Sequence, residues 1–472
     1  MNTTAPRLDL ALALVIVLAA VPGSAAASFL SEIGVQPHVC NAAVLSGNLR
    51  HVALSGSDAA GDGSAAKPYR TLFRAAETAQ PGDTIVVRQG TYAEPQEIRI
   101  RVANVAIRSF PGEWAVVDRR SETGQGSGIY FYVGADGGSL ECIEVAGGFY
   151  AVSTETKWDW GDPDDRAGAS RLRIANTKLH GSQRDVVKIK PNCDDISIEH
   201  NEIYDSGIGL SPDDCNAEGV DNVNGDRNRV AYNHIHDICS NGVYHKGGAT
   251  DGVVEYNLIE DTGGAGILLG FDTSPEYFDL TVNPDYYENI RGVARYNLVR
   301  NTGGSGIGFY ASREAAAHNN TIINAAKSYH GPIYFGVTFQ DWDPEAGRPA
   351  NRNPASYRNI VSQSATLAQP LVSIRYASEL GGLSALSGTL NTHHICYWQA
   401  GHAAIFADGR TDFTGTFTQW RTHIGGEAGS LLTDPLLDAD GLPHNPRCTG
   451  LGHAAMPPGS DVPARHLLLG GP

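Results

Sequence analysis

The stretch VVEYNLIEDTGGAGILLG, Val253–Gly270, decides the fold. Near copies flank it: RVAYNHIHDICSNGVYHKGG at Arg229–Gly248, VARYNLVRNTGGSGIGFY at Val293–Tyr310 and, more loosely, ISIEHNEIYDSGIGLS at Ile196–Ser211. Aligned on their shared asparagine they give Asn201, Asn233, Asn257 and Asn297, and then Asn320. Two steps are one period of about two dozen residues, and the other two are that period lengthened by about 8 and about 16. A period of this size is the mark of a solenoid. Helical repeats would carry apolar residues at a spacing of 3.6, and these units do not. They carry short alternating runs such as Val254-Glu255-Tyr256 and Ile196-Ser197-Ile198-Glu199, punctuated by Gly, Asn and Asp. No LxxLxL run is present. An all-β, parallel β-helix remains, its coils stacked at the inter-strand spacing of about 4.8 Å. The recurring asparagine is expected to take the left-handed conformation at a corner, its amide bonding to the asparagine of the next coil.

The ends of such a stack need covering, because open strand edges aggregate. PYRTLFRAAETA, Pro68–Ala79, has Leu72, Ala75, Ala76 and Ala79 at helical spacing and is expected to be an N-terminal capping helix. After about Ala326 the period fades, so irregular coils and a C-terminal cap are expected there. The expected organisation is a signal peptide over 1–27, an N-terminal segment with the cap helix over 28–84, about ten to twelve coils over 85–400, and a C-terminal cap and tail over 401–472.

The signal reading rests on Arg7, the apolar run Leu10–Val21 and the small residues Ala25, Ala26 and Ala27. It implies a secreted chain, extracellular or periplasmic. No later run is long and apolar enough to span a bilayer. A formal charge of −17 disfavours a nucleic-acid partner. It leaves room for an anionic polysaccharide, provided that lysine, arginine or a metal supplies local positive charge. A monomer is expected. The seven cysteines, Cys40, Cys142, Cys193, Cys215, Cys239, Cys396 and Cys448, leave at least one thiol free in a monomer. Cys193, Cys215 and Cys239 are spaced by about one coil but sit differently from their asparagines, so at most one disulfide is expected among them.

Two further segments carry a resemblance. GSDAAGDGSAAKPYRTLFRAAETAQPGDTIVVRQGTY, Gly56–Tyr92, and SLLTDPLLDADGL, Ser430–Leu442, resemble the opening and closing segments of secreted bacterial right-handed β-helix proteins of the pectate-lyase superfamily. That resemblance implies right-handed coils. It says less about reaction, since one fold hosts many activities. PDDCNAEGVDNVNG, Pro212–Gly225, is similar to the Asp-rich loop of calcium-dependent pectate lyases, with Glu218 where they have aspartate and the next lysine, Lys246, one coil on. It implies calcium as cofactor, on Asp213, Asp214, Glu218 and Asp221. VVKIKPN, Val186–Asn192, resembles the lysine element of alginate and chondroitin lyases, whose arginine partner is replaced here by the lysine of YHKGG.

Strand parity places these residues. Val187, Val220 and Val243 open equivalent strands, counted back from their asparagines. If they face the core, Lys188, Lys190, Asp221, Tyr244 and Lys246 face outward. A β-elimination needs a base for the proton beside a uronate carboxylate and a cation to neutralise that carboxylate. Lys246 and Lys190 are the candidate catalytic residues, with His245 as a proton carrier. Lys188, Tyr244, Asp272, Arg291 and Arg313 are candidate substrate-binding residues, as are Trp158 and Trp160 in the loop TKWDWGDPDDRAG. The leading expectation is an exported polysaccharide lyase acting on a uronic-acid polymer. The alternatives are a non-catalytic glycan-binding protein on the same scaffold, and a glycoside hydrolase using carboxylates such as Asp194 and Asp213.

Overall fold

A computed structural model describes residues 45, 47–157, 167–211, 214–338 and 348–454. The expected signal peptide, Trp158, Trp160 and Asp213 lie outside the described residues.

The described chain winds through three sheets of twelve strands each, and each strand pairs with its counterpart one turn of the chain away. The pairing is parallel throughout these sheets except at the last pair of one, Phe406–Asp408 against Phe413–Gly415. This is a parallel β-helix. Its interior is filled by aligned columns. Val187 stands beside Val220, Val220 beside Val243, Val243 beside Ile267, Ile267 beside Ile307 and Ile307 beside Ile333. All six are buried in one continuous core. Full burial of each such side chain contributes about 1.5–3 kcal/mol.

The asparagines form the expected ladder, with one change. The side-chain oxygen of Asn233 accepts from the backbone N and Nδ2 of Asn201, at 2.9 and 3.0 Å. The same pair of bonds runs on to Asn257, Asn297, Asn320 and Asn359. Yet none of these asparagines takes the left-handed conformation. The residue before each one does: His200, Tyr232, Tyr256, Tyr296, Asn319 and Arg358, with φ between 54° and 58°. The corner and the ladder are thus separate devices. The residue ahead turns the chain, and the asparagine, with its amide directed inward, satisfies the backbone groups that the turn strands. The rings at the turning position also stack, as Tyr232 does on Tyr256 and Tyr256 on Tyr296, with centroids 5.0 Å apart.

The coils run further than the sequence period shows. The ladder step from Asn320 to Asn359 is 39 residues, a lengthened coil that hides the repeat after Ala326. Paired strands begin at Asn48–Val52, within the segment read as preceding the solenoid, and continue to Leu431–Leu432, past residue 400. The helix Leu72–Glu77, N-capped by Thr71, lies between the first two strands of one sheet and buries Leu72, Ala75 and Ala76. A second helix, Phe417–Ile424, opens with a Thr416–Gln419 capping box and buries Trp420 against Phe406.

Cys215 is bonded to Cys239, and Cys396 to Cys448, while Cys193 is a buried free thiol. One disulfide among Cys193, Cys215 and Cys239 agrees with their unequal registers. No helix among the described residues is long and apolar enough to cross a membrane.

Candidate functional site

The outer wall formed by strands Val187–Ile189, Val220–Val223 and Val243–Lys246 carries a polar groove. Its larger lobe, about 520 Å³, is lined by Tyr150, Glu155, Lys188, Lys190, Lys246 and Tyr277, among others. The adjoining lobe shares Tyr150, Lys188 and Lys246 and adds Arg184, Asp185, Asp221 and Tyr244. Strand parity brings these groups together. Lys188 stands beside Asp221 and Asp221 beside Tyr244, while Ile189, Asn222 and His245 form the adjacent inward column.

The three lysines have different surroundings. Lys188 pairs with Asp221, and its Nζ lies 3.3 Å from Asp185 Oδ2. Burial alone would lower its pKa, but the Asp221 and Asp185 carboxylates outweigh that and hold it well above the usual lysine value. Lys188 therefore stays charged. Lys190 Nζ lies 2.5 Å from the Tyr130 hydroxyl and 3.4 Å from Glu155 Oε1. Lys246 Nζ donates to the Asp272 backbone carbonyl at 3.1 Å and sits 4.4 Å from the Tyr244 ring centroid. Among the described residues it makes no ion pair, and it lines both lobes.

Beneath Lys188 is a buried acidic set, Asp185, Glu218 and Asp221, with an oxygen from each within 4.8 Å of the others. Burial, reinforced by Glu218, pushes Asp185 up to about 7 in spite of Lys188. Burial and Asp185 likewise raise Asp221 against the pull of Lys188. Tyr244, sealed beside them, is raised well above the usual tyrosine value by burial and by Asp221. Glu218 Oε2 and Asp221 Oδ1 are buried without a hydrogen-bond partner. Hard oxygen donors crowded in this way, two of them unspent, fit a calcium-class cation.

Asp185 was not anticipated from sequence. It lies two residues before Val187, as Glu218 lies two before Val220 and Asn241 two before Val243. Asn241 Nδ2 donates to Glu218 Oε1 at 3.2 Å, so this position forms a column of its own. Extending the alignment two residues ahead of each strand would have found it.

Other candidates fall elsewhere. His245 faces the interior, fully buried, with Nδ1 2.6 Å from Asn222 Nδ2. Burial lowers its pKa to about 4. The alternation that sends Lys246 out sends His245 in, so the expected proton carrier does not reach the groove. Asp214 is exposed and stands apart from the buried acidic set. Arg291 is held by Asp251 at 2.8 and 2.7 Å, and Arg313 lies 5.1 Å from the Tyr287 ring centroid. Both line a separate cleft with Asp226 and Asn283. Asp194 accepts from the backbone of Asp226 and pairs with Arg227 at 3.2 Å, a structural engagement. Within the lengthened coil between Asn257 and Asn297, Tyr277 lines the groove, whereas Phe278 and Tyr287 are buried.

Residues 166–283 match the family description of a right handed β-helix region. That span holds the three groove strands and agrees with the parallel β-helix of the structure, the fold to which the opening and closing segments pointed. Solved structures with similar chain paths include a pectate lyase, at 14% identity over 72% of this chain and 80% of that one, with a TM-score of 0.45. A lacto-N-biosidase from Eubacterium ramulus gives 12%, 82%, 68% and 0.49, and a mannuronan C-5 epimerase module from Azotobacter vinelandii gives 13%, 77%, 94% and 0.41. No curated protein matches the sequence.

Proposed function

We propose that the groove binds a uronate-containing polysaccharide and that the protein is an exported lyase, cleaving the chain by β-elimination. The observation that carries this reading is Lys246. It lines both lobes without a carboxylate partner among the described residues, on the same wall as a lysine that is held charged.

In the reaction Lys246 Nζ, in its neutral form, takes the proton from the carbon beside the uronate carboxylate. The electron pair left behind forms a carbon–carbon double bond, and the glycosidic oxygen departs and takes up a proton. Lys188, held in its charged form by Asp221 and Asp185, adds positive charge on the side where negative charge builds on the carboxylate. Lys190, steadied by Tyr130 and Glu155, clamps a neighbouring sugar acid. Asp185, Glu218 and Asp221 would hold calcium, which when bound supplies further positive charge against the substrate carboxylate.

The test is to incubate the protein with pectate, alginate and glycosaminoglycans, with and without calcium, and follow the ultraviolet absorbance of an unsaturated uronate. Its growth on one polymer is the expected result. Release of reducing sugar without that absorbance would replace the lyase by a hydrolase.

A further inference from the structure

A second cluster lies on a different sheet. Strand His234–Ile238 carries His234 and His236 two residues apart, so both imidazoles leave the same face while Ile235 enters the core. Register sets Glu202 of the preceding coil beside His234. One nitrogen from each ring and one Glu202 oxygen all lie within 4.8 Å of one another. We propose that Glu202, His234 and His236 form a binding site for a zinc-class divalent cation, joining two adjacent coils and independent of the groove.

The chemistry favours such an ion over calcium. Two imidazoles and one carboxylate suit zinc and its neighbours, whereas calcium takes oxygen. Each ring is also oriented from behind by a carboxylate. His234 Nε2 lies 2.8 Å from Glu260 Oε1, and His236 Nδ1 lies 2.7 Å from Asp237 Oδ2. Carboxylates placed this way are the usual second partners of metal-bound imidazoles, fixing tautomer and direction. They leave the other nitrogen of each ring for the metal, and His236 Nε2 indeed turns toward Glu202 Oε1, 3.5 Å away.

The surrounding cations do not block the site. Lys178 engages the other Glu202 oxygen, Oε2, at 2.9 Å, and Arg300 is spent on Glu260 Oε2. The rings are already packed in place, His236 stacked against Tyr204 with centroids 5.0 Å apart and His234 tilted by 31° against His236 at 4.1 Å. Little side-chain freedom remains to be lost on binding. Every side chain of the site is between 13% and 23% exposed, open enough for an ion to reach.

The experiment is calorimetric titration of zinc ion into the full chain, stripped with chelator and then held in excess calcium so that the groove carboxylates do not compete. The expected result is saturable binding of one zinc per chain, retained in Asp221→Asn and lost in the His234→Ala, His236→Ala double variant. A second measurement guards against a folding defect: His236→Gln, shown by circular dichroism to keep the parent's strand signal, is expected to bind at least about tenfold more weakly. Zinc should also raise the unfolding midpoint of the parent and leave that of His236→Gln nearly unmoved. Absence of saturable binding in the parent, or equal affinity in parent and His236→Gln, would overturn the proposal.

Discussion

Two outer walls of this solenoid both carry stacked charges, and they use them in opposite ways. On the wall that runs from strand Ser139–Glu141 through Arg173–Ala175 and Ser197–Glu199 to Val293–Arg295, Arg173 bonds Glu141 at 2.6 Å and Glu199 at 2.9 Å. Arg229 then bonds Glu199 and Glu255, at 3.2 and 2.7 Å, and Arg295 bonds Glu255 at 2.7 Å. Every charge there has its opposite one coil away. On the groove wall, three carboxylates are buried around a single lysine, and Lys246 has no acidic partner among the described residues. Charges that close on each other hold coils together. Charges left over are available to a ligand.

That contrast can be tested from both sides. The largest effect is expected from Asp221→Asn, which removes one ligand of the acidic set and a partner of Lys188. Calcium-dependent activity should fall about 100-fold or more, on the scale of losing a main electrostatic contribution at an active site. A variant that needs only more calcium to recover fully would place Asp221 in ion affinity alone. On the other wall, Arg229→Ala should leave turnover unchanged and lower unfolding free energy by about 1–2 kcal/mol in urea melts, since Glu199 and Glu255 each keep one arginine. An activity loss there would erase the distinction between the walls.

A subtler difference concerns pH. Asp185 is raised to about 7 from an ordinary 3.8, so the fold holds its proton more tightly than the unfolded chain does. Stability from this group is therefore present at low pH and declines as pH rises from about 4 to about 7. Without divalent ion, Asp185→Asn should flatten that decline. Calcium should flatten it in the parent. An unchanged slope in Asp185→Asn would mean that Asp185 does not titrate in this range.

Much of this was readable in the residues. The asparagine spacing identifies the coil, and alternation around Val187, Val220 and Val243 puts Lys188, Lys190, Asp221 and Lys246 outside. What resisted reading was position away from the strands. Asp185 escaped because a carboxylate ahead of a strand has no parity to mark it. Nearness in sequence groups Asp214 with Glu218, but a bending loop carries no fixed direction. Asparagine's known tolerance points to it for the left-handed corner, yet the corner falls one residue earlier, on His200, Tyr232, Tyr256, Tyr296, Asn319 and Arg358, where the histidine and tyrosine rings gain a stack on the adjacent coil. Arg291 looked like a free clamp because its partner Asp251 sits one coil back, at a corner rather than on a strand.

The central claim is that Lys246, which has no carboxylate partner among the described residues, does chemistry. Turnover of parent and Lys246→Ala should be compared on whichever polymer the parent cleaves, by the absorbance of the unsaturated uronate, with urea melts alongside. The expected result is a loss of about 100-fold or more with stability within about 0.5 kcal/mol of the parent. Near-parental turnover in a folded Lys246→Ala would contradict it.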